Sequence, residues 1–108
     1  MFRLAAALAA AAFPLAVLAA GEPELSIAIE NHRFVPDRLE VPAGRKVRLT
    51  VENRDATPEE FESAELKVEK VIPGKSKGIV YLGPLKPGEY PFMGEYHEKT
   101  AKGVVVAK

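Results

Sequence analysis

The chain is built from short segments in which apolar and polar side chains alternate, and this pattern leaves few folds open. Leucine and isoleucine occupy every second position in the segment 25–30, and valine and leucine do the same in 47–52. A period of two gives a β-strand one apolar face. Further short strands are predicted at 79–82, 90–93 and 104–107. The sequence therefore predicts a protein made of β-strands.

Turn chemistry separates these strands. The stretches VPAG at 41–44, IPGK at 72–75 and GPLKPGE at 83–89 combine proline, which presets φ, with glycine, which takes positive φ without steric cost. Short strands spaced in this way indicate an all-β sandwich or barrel of about 7–8 strands. The segment 61–71 is ambiguous, and we interpret it as an irregular passage from strand to loop with at most one short helix near 63–66.

The first twenty residues have the composition of a secretory signal peptide. Arg3 supplies a positive charge, an apolar run extends from Leu4 to Leu18, and small residues follow at 19–21. A membrane anchor is the alternative, but the run is short for a span of about 20 residues, and Pro14 interrupts it. We therefore predict an exported protein with a signal peptide at 1–20, one domain at 21–108, and no membrane insertion after cleavage.

Composition and charge exclude several classes of function. The chain carries 15 basic and 15 acidic residues, and loss of the leader removes Arg3, which leaves a formal charge near −1. No basic patch favours nucleic acid, and no amphipathic basic stretch favours a membrane surface. The sequence contains no cysteine. It therefore cannot form a disulfide, a thiol nucleophile, an iron–sulfur cluster or a thiolate-bound metal.

Two stretches together resemble the cupredoxins, a family of Greek-key β-sandwich proteins. The first is FVPDRLEVPAGRKVRLTVENRDATPEEF at 34–61, and the second is GEYPFMGEYH at 88–97. The residues of the first stretch that match the family pattern are Phe34, Pro36, Leu39, Val41, Gly44, Val47, Leu49, Val51, Asn53 and Asp55. The resemblance covers nearly the whole of 21–108 and implies a cupredoxin-like Greek-key sandwich.

The resemblance also implies where a metal would lie. The blue-copper centre of the family takes one histidine from a long loop, and then a cysteine, a second histidine and an axial methionine from the C-terminal loop. The matching positions here are, in that order, Glu59, Gly94, His97 and Lys102. Blue-copper chemistry depends on a copper–thiolate bond. The resemblance therefore carries over the fold but not blue-copper electron transfer.

The changed site still offers metal ligands. Glu59 and His97 are expected at the same end of the sandwich, with Glu95 and Glu98 beside His97 in the loop. Imidazole and carboxylate together form a nitrogen–oxygen site, which suits Fe, Mn, Zn or Cu(II) rather than Cu(I). We predict a metal site formed by Glu59, Glu95, His97 and Glu98, with copper or iron as the cofactor. A solvated acidic face without metal is the alternative.

Three neighbouring residues are left out of this predicted site. Strand alternation places Phe61 inward together with Glu59, and it leaves Glu60 and Glu62 on the outer face. His32 lies in the stretch ENHRF and is interpreted as the surface of a turn.

Two further stretches, DATPEEFES and GEYHEKTAKG, are similar to a narrower group. These are small exported proteins related to the cupredoxin-like domain of periplasmic iron-uptake proteins. The resemblance implies a periplasmic accessory that handles iron or copper beside an inner-membrane iron permease or another periplasmic metal-binding protein. Ferroxidase activity is a weaker implication, because turnover needs an open position on a redox metal and few ligands can be named. The alternative is a β-sandwich interaction module that binds no metal and docks to a partner through its acidic loop end.

Overall fold

The computed structural model describes residues 21–108, and these form nine β-strands and one short 3₁₀ helix. The predicted signal peptide at 1–20 lies outside the described residues. The strands are β1 (Glu24–Glu30), β2 (Arg33–Val35), β3 (Arg38–Val41), β4 (Val47–Asn53), β5 (Glu59–Ser63), β6 (Val68–Ile72), β7 (Lys77–Leu82), β8 (Gly88–Gly94) and β9 (Lys102–Ala107). The 3₁₀ helix spans Glu95–His97.

The strands form two sheets, with the orders β2-β1-β4-β7 and β3-β9-β8-β5-β6. Strands β1 and β4 pair in parallel, as do β3 and β9, so strands distant in sequence become neighbours. This arrangement confirms the predicted all-β Greek-key sandwich. The structure has nine strands where about 7–8 were predicted, because Pro36 has no N–H to donate and separates β2 from β3, which join different sheets.

The core lies between the two sheets and follows the alternation in the sequence. Ile27 and Ile29 of β1 and Leu49 and Val51 of β4 are buried. An aromatic cluster of Phe34, Phe61 and Phe92 joins the sheets, with ring centroids 4.7 to 5.9 Å apart. Each buried phenylalanine contributes about 1.5–3 kcal/mol. Phe61 lies on β5, so this cluster supports the strand that carries Glu59.

The segment 61–71 is a β-hairpin, and its interpretation as an irregular passage is wrong. Strands β5 and β6 pair from Glu59 opposite Ile72 to Ser63 opposite Val68. The Ser63 hydroxyl accepts a hydrogen bond from the Leu66 amide and donates one to the Pro91 carbonyl. Residues 64–67 form a turn rather than a helix. The segment forms a hairpin rather than an irregular passage, and Ile72 is fully buried in this arrangement.

Within residues 21–108, no helix is long and apolar enough to cross a membrane.

Candidate metal centre

Asn53 organises the loop that leads from β4 into β5. Its side chain is buried, and its amide nitrogen donates to the carbonyls of Thr57 and Ile72. Its side-chain oxygen accepts a hydrogen bond from the Asp55 amide. A buried side-chain amide with these partners is fully engaged. These hydrogen bonds therefore hold the loop before Glu59 in one defined conformation.

Glu59 begins β5 and is 1% exposed, which is rare for a carboxylate. Its Oε1 accepts hydrogen bonds from the amides of Glu60, at 2.9 Å, and Tyr96, at 3.0 Å. Its Oε2 is hydrogen-bonded to Nδ1 of His97. Burial of a carboxylate is costly unless donors and an opposite charge replace water. Here three donors take that role, so Glu59 links β5 to the loop that follows β8.

His97 ends the 3₁₀ helix, within a loop that its own backbone closes. The His97 carbonyl accepts hydrogen bonds from the amides of Thr100 and Ala101, and the Gly94 amide donates to the Ala101 carbonyl. An ionised carboxylate only accepts hydrogen bonds, so Nδ1 of His97 carries the hydrogen that faces Glu59. The other ring nitrogen, Nε2, is left for solvent or a metal, and the side chain is 29% exposed.

His32 packs face to face with His97. The two ring centroids are 3.6 Å apart and the planes differ by 12°. The Thr100 hydroxyl donates to the His32 carbonyl at 2.6 Å, which ties the β1–β2 turn to the His97 loop. One nitrogen or oxygen ligand atom from each of His32, Glu59 and His97 can be chosen so that all three lie within 4.8 Å of one another. We call these three residues the imidazole–carboxylate site.

Asp55 holds the turn that carries His32. Asn31 and His32 both have positive φ, at 54° and 59°, a left-handed conformation that is uncommon for residues other than glycine. The Asp55 carboxylate stabilises this conformation by accepting hydrogen bonds from both amides, at 2.8 and 2.9 Å. Burial raises the pKa of Asp55, but these two hydrogen bonds, together with the charges of His32 and Lys75, hold that pKa below its usual value. Nδ1 of His32 lies 3.4 Å from the same carboxylate, so its Nε2 is also the free nitrogen.

Comparison with known proteins identifies the fold family. The family described as the cupredoxin-like domain matches residues 2–107. This chain belongs to the cupredoxin-like domain family. An uncharacterized protein of Rickettsia prowazekii (strain Madrid E) is 46% identical over 84 residues, which cover 77% of this chain. The chain spans 66% of the length of that relative.

Solved structures show the same sandwich at low sequence identity. Auracyanin A, a blue copper protein from Chloroflexus aurantiacus, superposes with a TM-score of 0.69 at 15% identity, covering 82% of this chain and 100% of its own. A purple cupredoxin from Nitrosopumilus maritimus gives 0.61 at 19% identity, with 78% and 99% covered. The metal-binding domain of a Cu(I)-exporting ATPase from Streptococcus pneumoniae gives 0.63 at 17% identity, with 79% and 84% covered. These likenesses support the fold.

A blue-copper centre does not fit this cupredoxin-like domain. A Cβ atom built on Gly94 would lie 2.6 Å from Cδ of Glu59 and 2.8 Å from Cβ of Ala101. Real Cβ atoms do not approach other atoms so closely, so no cysteine side chain has room at this position without movement. The Glu59 carboxylate occupies the space that a side chain at 94 would need. Glu59 and a side chain at position 94 therefore cannot both occupy this space, and the thiolate chemistry of the blue site is absent.

The structure brings together some of the predicted ligands and separates others. Glu59 and His97 are in direct contact, as expected. His32, which the sequence interpretation left out of the site, also lies in this group, because the Thr100 hydrogen bond holds its turn against His97. Glu95 and Glu98 line the same surface depression. Their carboxylates are not part of the imidazole–carboxylate site, since Glu95 clusters with Glu60 and Glu69 instead.

A second group of acidic side chains lies on the outer face around β5. It consists of Glu60 and Glu62 of β5, Glu69 of β6 and Glu95 of the 3₁₀ helix, and we call it the outer carboxylate cluster. Glu60 and Glu62 lie on the face opposite Glu59 and Phe61, as alternation predicted. Glu60 is nevertheless 6% exposed. Strand alternation determines which face a side chain takes, but neighbouring strands determine how deeply it is buried.

The carboxyl groups of the outer carboxylate cluster compete for protons. A hydrogen bond with Glu95, then burial and the charges of Glu95, Glu69 and Glu62, raise the pKa of Glu60 to about 7. A hydrogen bond with Glu95 likewise leads the causes that raise the pKa of Glu62. Hydrogen bonds from Glu62 and Glu60 lower the pKa of Glu95, against a small opposing effect of burial. Glu95 thus keeps its negative charge more readily than Glu60 and Glu62 do.

A signal for His32 was present in the sequence but needed the topology to be interpreted. The parallel pairing of β1 with β4 places Ile29 opposite Asn53, so the turn after β1 lies next to the loop before β5. The sequence contains two histidines, and both lie at this end of the sandwich. A polar turn residue next to a predicted metal loop could have been included on that ground.

Proposed function

We propose that this protein is an exported metal-binding protein whose centre is the imidazole–carboxylate site. The observation that carries the proposal is the buried Glu59 carboxylate, which fills the side-chain space of Gly94 and holds His97 beneath His32. A buried carboxylate that fixes the tautomer of a partly exposed imidazole is the usual support of a metal-binding histidine. The Asp55 carboxylate lies 3.4 Å from Nδ1 of His32 and accepts a hydrogen bond from the His32 backbone amide. Two supported imidazoles side by side favour metal binding over a purely structural role.

The free Nε2 atoms of His32 and His97 are the proposed nitrogen ligands. The lone pair of an imidazole nitrogen lies in the plane of its ring, so one metal can bind both rings only if they tilt out of their parallel stack. His97 is held by Glu59, whereas the His32 side chain is 44% exposed and lies in a turn. His32 is therefore the ring that moves on binding. Its backbone stays in place through the Thr100 hydrogen bond.

The donor types determine the class of metal. Imidazole nitrogen suits Cu(II), Fe(II) or Zn(II), and the lack of cysteine removes the thiolate that favours Cu(I). Copper or iron remains the proposed cofactor. Because a proton competes with the metal for each imidazole, binding is expected to weaken as the pH falls below about 6.

Titration of the purified protein with Cu²⁺, with Zn²⁺ and, without oxygen, with Fe²⁺ tests the proposal. We expect one equivalent of Cu²⁺ to bind with nitrogen hyperfine structure in its paramagnetic resonance spectrum and without intense blue absorption. His97→Ala and His32→Ala should each weaken binding by about tenfold or more. Tyr96→Phe is the matched control, since Tyr96 lines the same depression and loses only a hydroxyl.

Unchanged stoichiometry and affinity in His97→Ala would refute the site. An intense blue colour with cupric ion would refute the donor set. Binding that falls equally in Tyr96→Phe would mean that the loop, rather than the imidazoles, controls the metal.

A role beside an iron permease is the proposed cellular context. It is supported by the similarity of DATPEEFES and GEYHEKTAKG to iron-uptake-associated proteins and by the leader-like residues 1–20. Recovery of the protein from a periplasmic fraction, with an N-terminus near residues 19–21, tests export. An iron permease gene next to its own gene, together with poor growth on limiting iron after deletion, would support the context. Normal growth and an isolated gene would argue against it.

An interaction module without metal is the second candidate function. Tyr96 is 50% exposed beside Glu95 and Glu98, and an aromatic side chain among charges is a common docking feature. Absence of binding below millimolar for all three metals, together with normal capture of a partner by His97→Ala, would favour this function. Loss of partner capture in Tyr96→Ala would then locate the surface.

A further inference from the structure

The outer carboxylate cluster is assembled by the pairing of three strands. Glu62 of β5 lies directly opposite Glu69 of β6. On the other side of β5, Phe61 pairs with Gly94, and continuing that antiparallel register by one residue places Glu95 beside Glu60. One carboxylate oxygen from each of Glu60, Glu69 and Glu95 lies within 4.8 Å of the others. Like charges directly opposite one another destabilise a sheet, so this arrangement calls for compensation.

A second and independent observation concerns Glu60 itself. Its side chain is more than nine-tenths buried, and its Oε1 atom is buried without any hydrogen-bond donor among residues 21–108. Glu59, its neighbour in sequence, has a donor on each oxygen. Buried polar atoms without partners are rare in native proteins, and each one needs a physical explanation.

Basic side chains do not supply the compensation. In the part of the chain that the structure describes, the ion pairs within 4.0 Å involve other acidic residues, and none includes Glu60, Glu62, Glu69 or Glu95. A buried carboxylate oxygen that lacks both a donor and an ion pair can be matched by a proton or by a cation.

We propose that Glu60, Glu69 and Glu95 of the outer carboxylate cluster form a second metal site, which binds a hard divalent cation through oxygen atoms alone. Glu60 forms the floor of the site, and the exposed Glu69 and Glu95 form its walls, which lets a cation enter and keep part of its water shell. Hard cations such as Mn²⁺, Mg²⁺ and Ca²⁺ prefer carboxylate oxygen. The site has no imidazole, and the backbone of β5 lies between it and Glu59. The inference therefore does not depend on the proposed function of the imidazole–carboxylate site.

Titration with Mn²⁺ alone tests this inference. Free Mn²⁺ gives a sharp six-line paramagnetic resonance signal that is lost on binding, so bound and free ion are counted directly. We expect the protein to bind one equivalent, and the double variant Glu60→Gln, Glu95→Gln to bind it about tenfold or more weakly. The matched control is Glu40→Gln, Glu89→Gln, which removes two exposed carboxylates from other parts of the sandwich. Circular dichroism confirms that each variant is folded.

Equal affinity in the parent and in Glu60→Gln, Glu95→Gln would overturn the inference and leave a shared proton as the compensation. Equal weakening in the control pair would also overturn it, because the effect would then be one of overall charge. Glu69→Gln changes an exposed wall without touching the buried floor, and unchanged Mn²⁺ binding in that variant would exclude the three-carboxylate site.

The double variant His32→Ala, His97→Ala separates this inference from the proposed function. It should lose Cu²⁺ while it keeps Mn²⁺. Loss of Mn²⁺ in that variant would mean that one site binds both ions and would overturn the second site. Retention of Mn²⁺ together with failure of Cu²⁺ to bind the parent protein would refute the proposed function alone.

Discussion

Glu59 and Glu60 are adjacent in sequence and almost equally buried, at 1% and 6% exposure, yet their surroundings are opposite. Glu59 faces the Gly94 space, where two backbone amides and the His97 ring donate to it. Glu60 faces three further carboxylates, and its Oε1 meets no donor in residues 21–108. Burial alone therefore does not decide whether a carboxylate stabilises a fold. The partners on its face of the strand decide it.

The comparison predicts its largest effect for Glu59→Ala. This change leaves the amides of Glu60 and Tyr96 and the Nδ1 of His97 without their acceptor. We expect a loss of about 3–5 kcal/mol in the free energy of unfolding, because each donor left without its acceptor costs about 1–3 kcal/mol. Urea unfolding measures it. Glu69→Ala, an exposed acidic change on the outer face, should stay within about 0.5 kcal/mol of the parent.

A loss below about 1 kcal/mol in Glu59→Ala would contradict the comparison. It would mean that Glu59, with its donors, stabilises the fold no more than a carboxylate on the outer face of β5 does.

Gly94→Ala tests whether the space beside Glu59 is truly filled. The added methyl group would lie 2.6 Å from Cδ of Glu59 and 2.8 Å from Cβ of Ala101. We expect a loss of about 1–3 kcal/mol, as for other overpacked cores, measured by urea unfolding. Combined with Glu59→Ala, the loss should be smaller than the sum by about 1 kcal/mol, because the clash with the Glu59 side chain disappears while the contact with Ala101 remains.

Gly21→Ala is the matched control, because a Cβ there meets no atom within 4 Å. Full additivity of Gly94→Ala and Glu59→Ala would show that the two residues do not share this space.

Thr100→Val tests whether the Thr100 hydroxyl is needed to hold His32 against His97. The change removes the hydroxyl that donates to the His32 carbonyl and keeps the side-chain shape. We expect a loss of about 0.5–1.5 kcal/mol and a shift of the His32 and His97 ring protons in the nuclear magnetic resonance spectrum. Thr57→Val, an exposed threonine in the loop before β5, is the control. Ring signals that stay unchanged in Thr100→Val would show that stacking does not need this bond.

The smallest expected effect is a change in how the stability of the protein depends on pH, and it is caused by Glu60 on the outer face of β5. Folding raises the pKa of Glu60 from an ordinary value of 4.5 to about 7. Its protonated form is therefore favoured in the folded state. This contribution to stability is complete below pH 4.5 and is lost as the pH rises through 7. Glu60→Gln removes the dependence and should stabilise the protein at pH 8 by up to about 1 kcal/mol, since it relieves repulsion between adjacent strands.

Urea unfolding at pH 5, 6.5 and 8 checks this prediction for the parent and the variant. Equal slopes with pH in both proteins would contradict it. Glu89→Gln, an exposed change on β8, should keep the slope of the parent.

The fold was predictable because its signals are local. Alternation in β1 and β4, together with proline and glycine between strands, indicated an all-β sandwich, and the matching pattern from Phe34 to Asp55 indicated its cupredoxin-like type. The hairpin at 61–71 was not predicted, because its segment is rich in charge and gives no clean period. The buried Ile72 and the pairing of β5 with two neighbours stabilise it instead. In this segment tertiary packing, rather than the intrinsic β-propensity of the residues, determines the structure.

The candidate site was predictable in part for the same reason. Alignment of the stretches 34–61 and 88–97 with the family placed Glu59 and His97 at one end of the sandwich, and they touch. Position in the loop did not show where the carboxylate of Glu95 would point. A residue just after a strand takes the face that the strand register gives it, and here that face is the outer one.

By itself the sequence determined that this chain has no sulfur ligand for a blue-copper site, since cysteine is missing and Gly94 stands at the matching position. It also determined that apolar side chains on alternate positions would form a sandwich. Only the tertiary structure decided that His32 joins His97, that Glu59 fills the room left by Gly94, and that Glu60 lies buried among carboxylates. The physical reason is that composition and period act within one strand. The contacts of a metal site instead join strands that are distant in sequence, through register, turns and single hydrogen bonds.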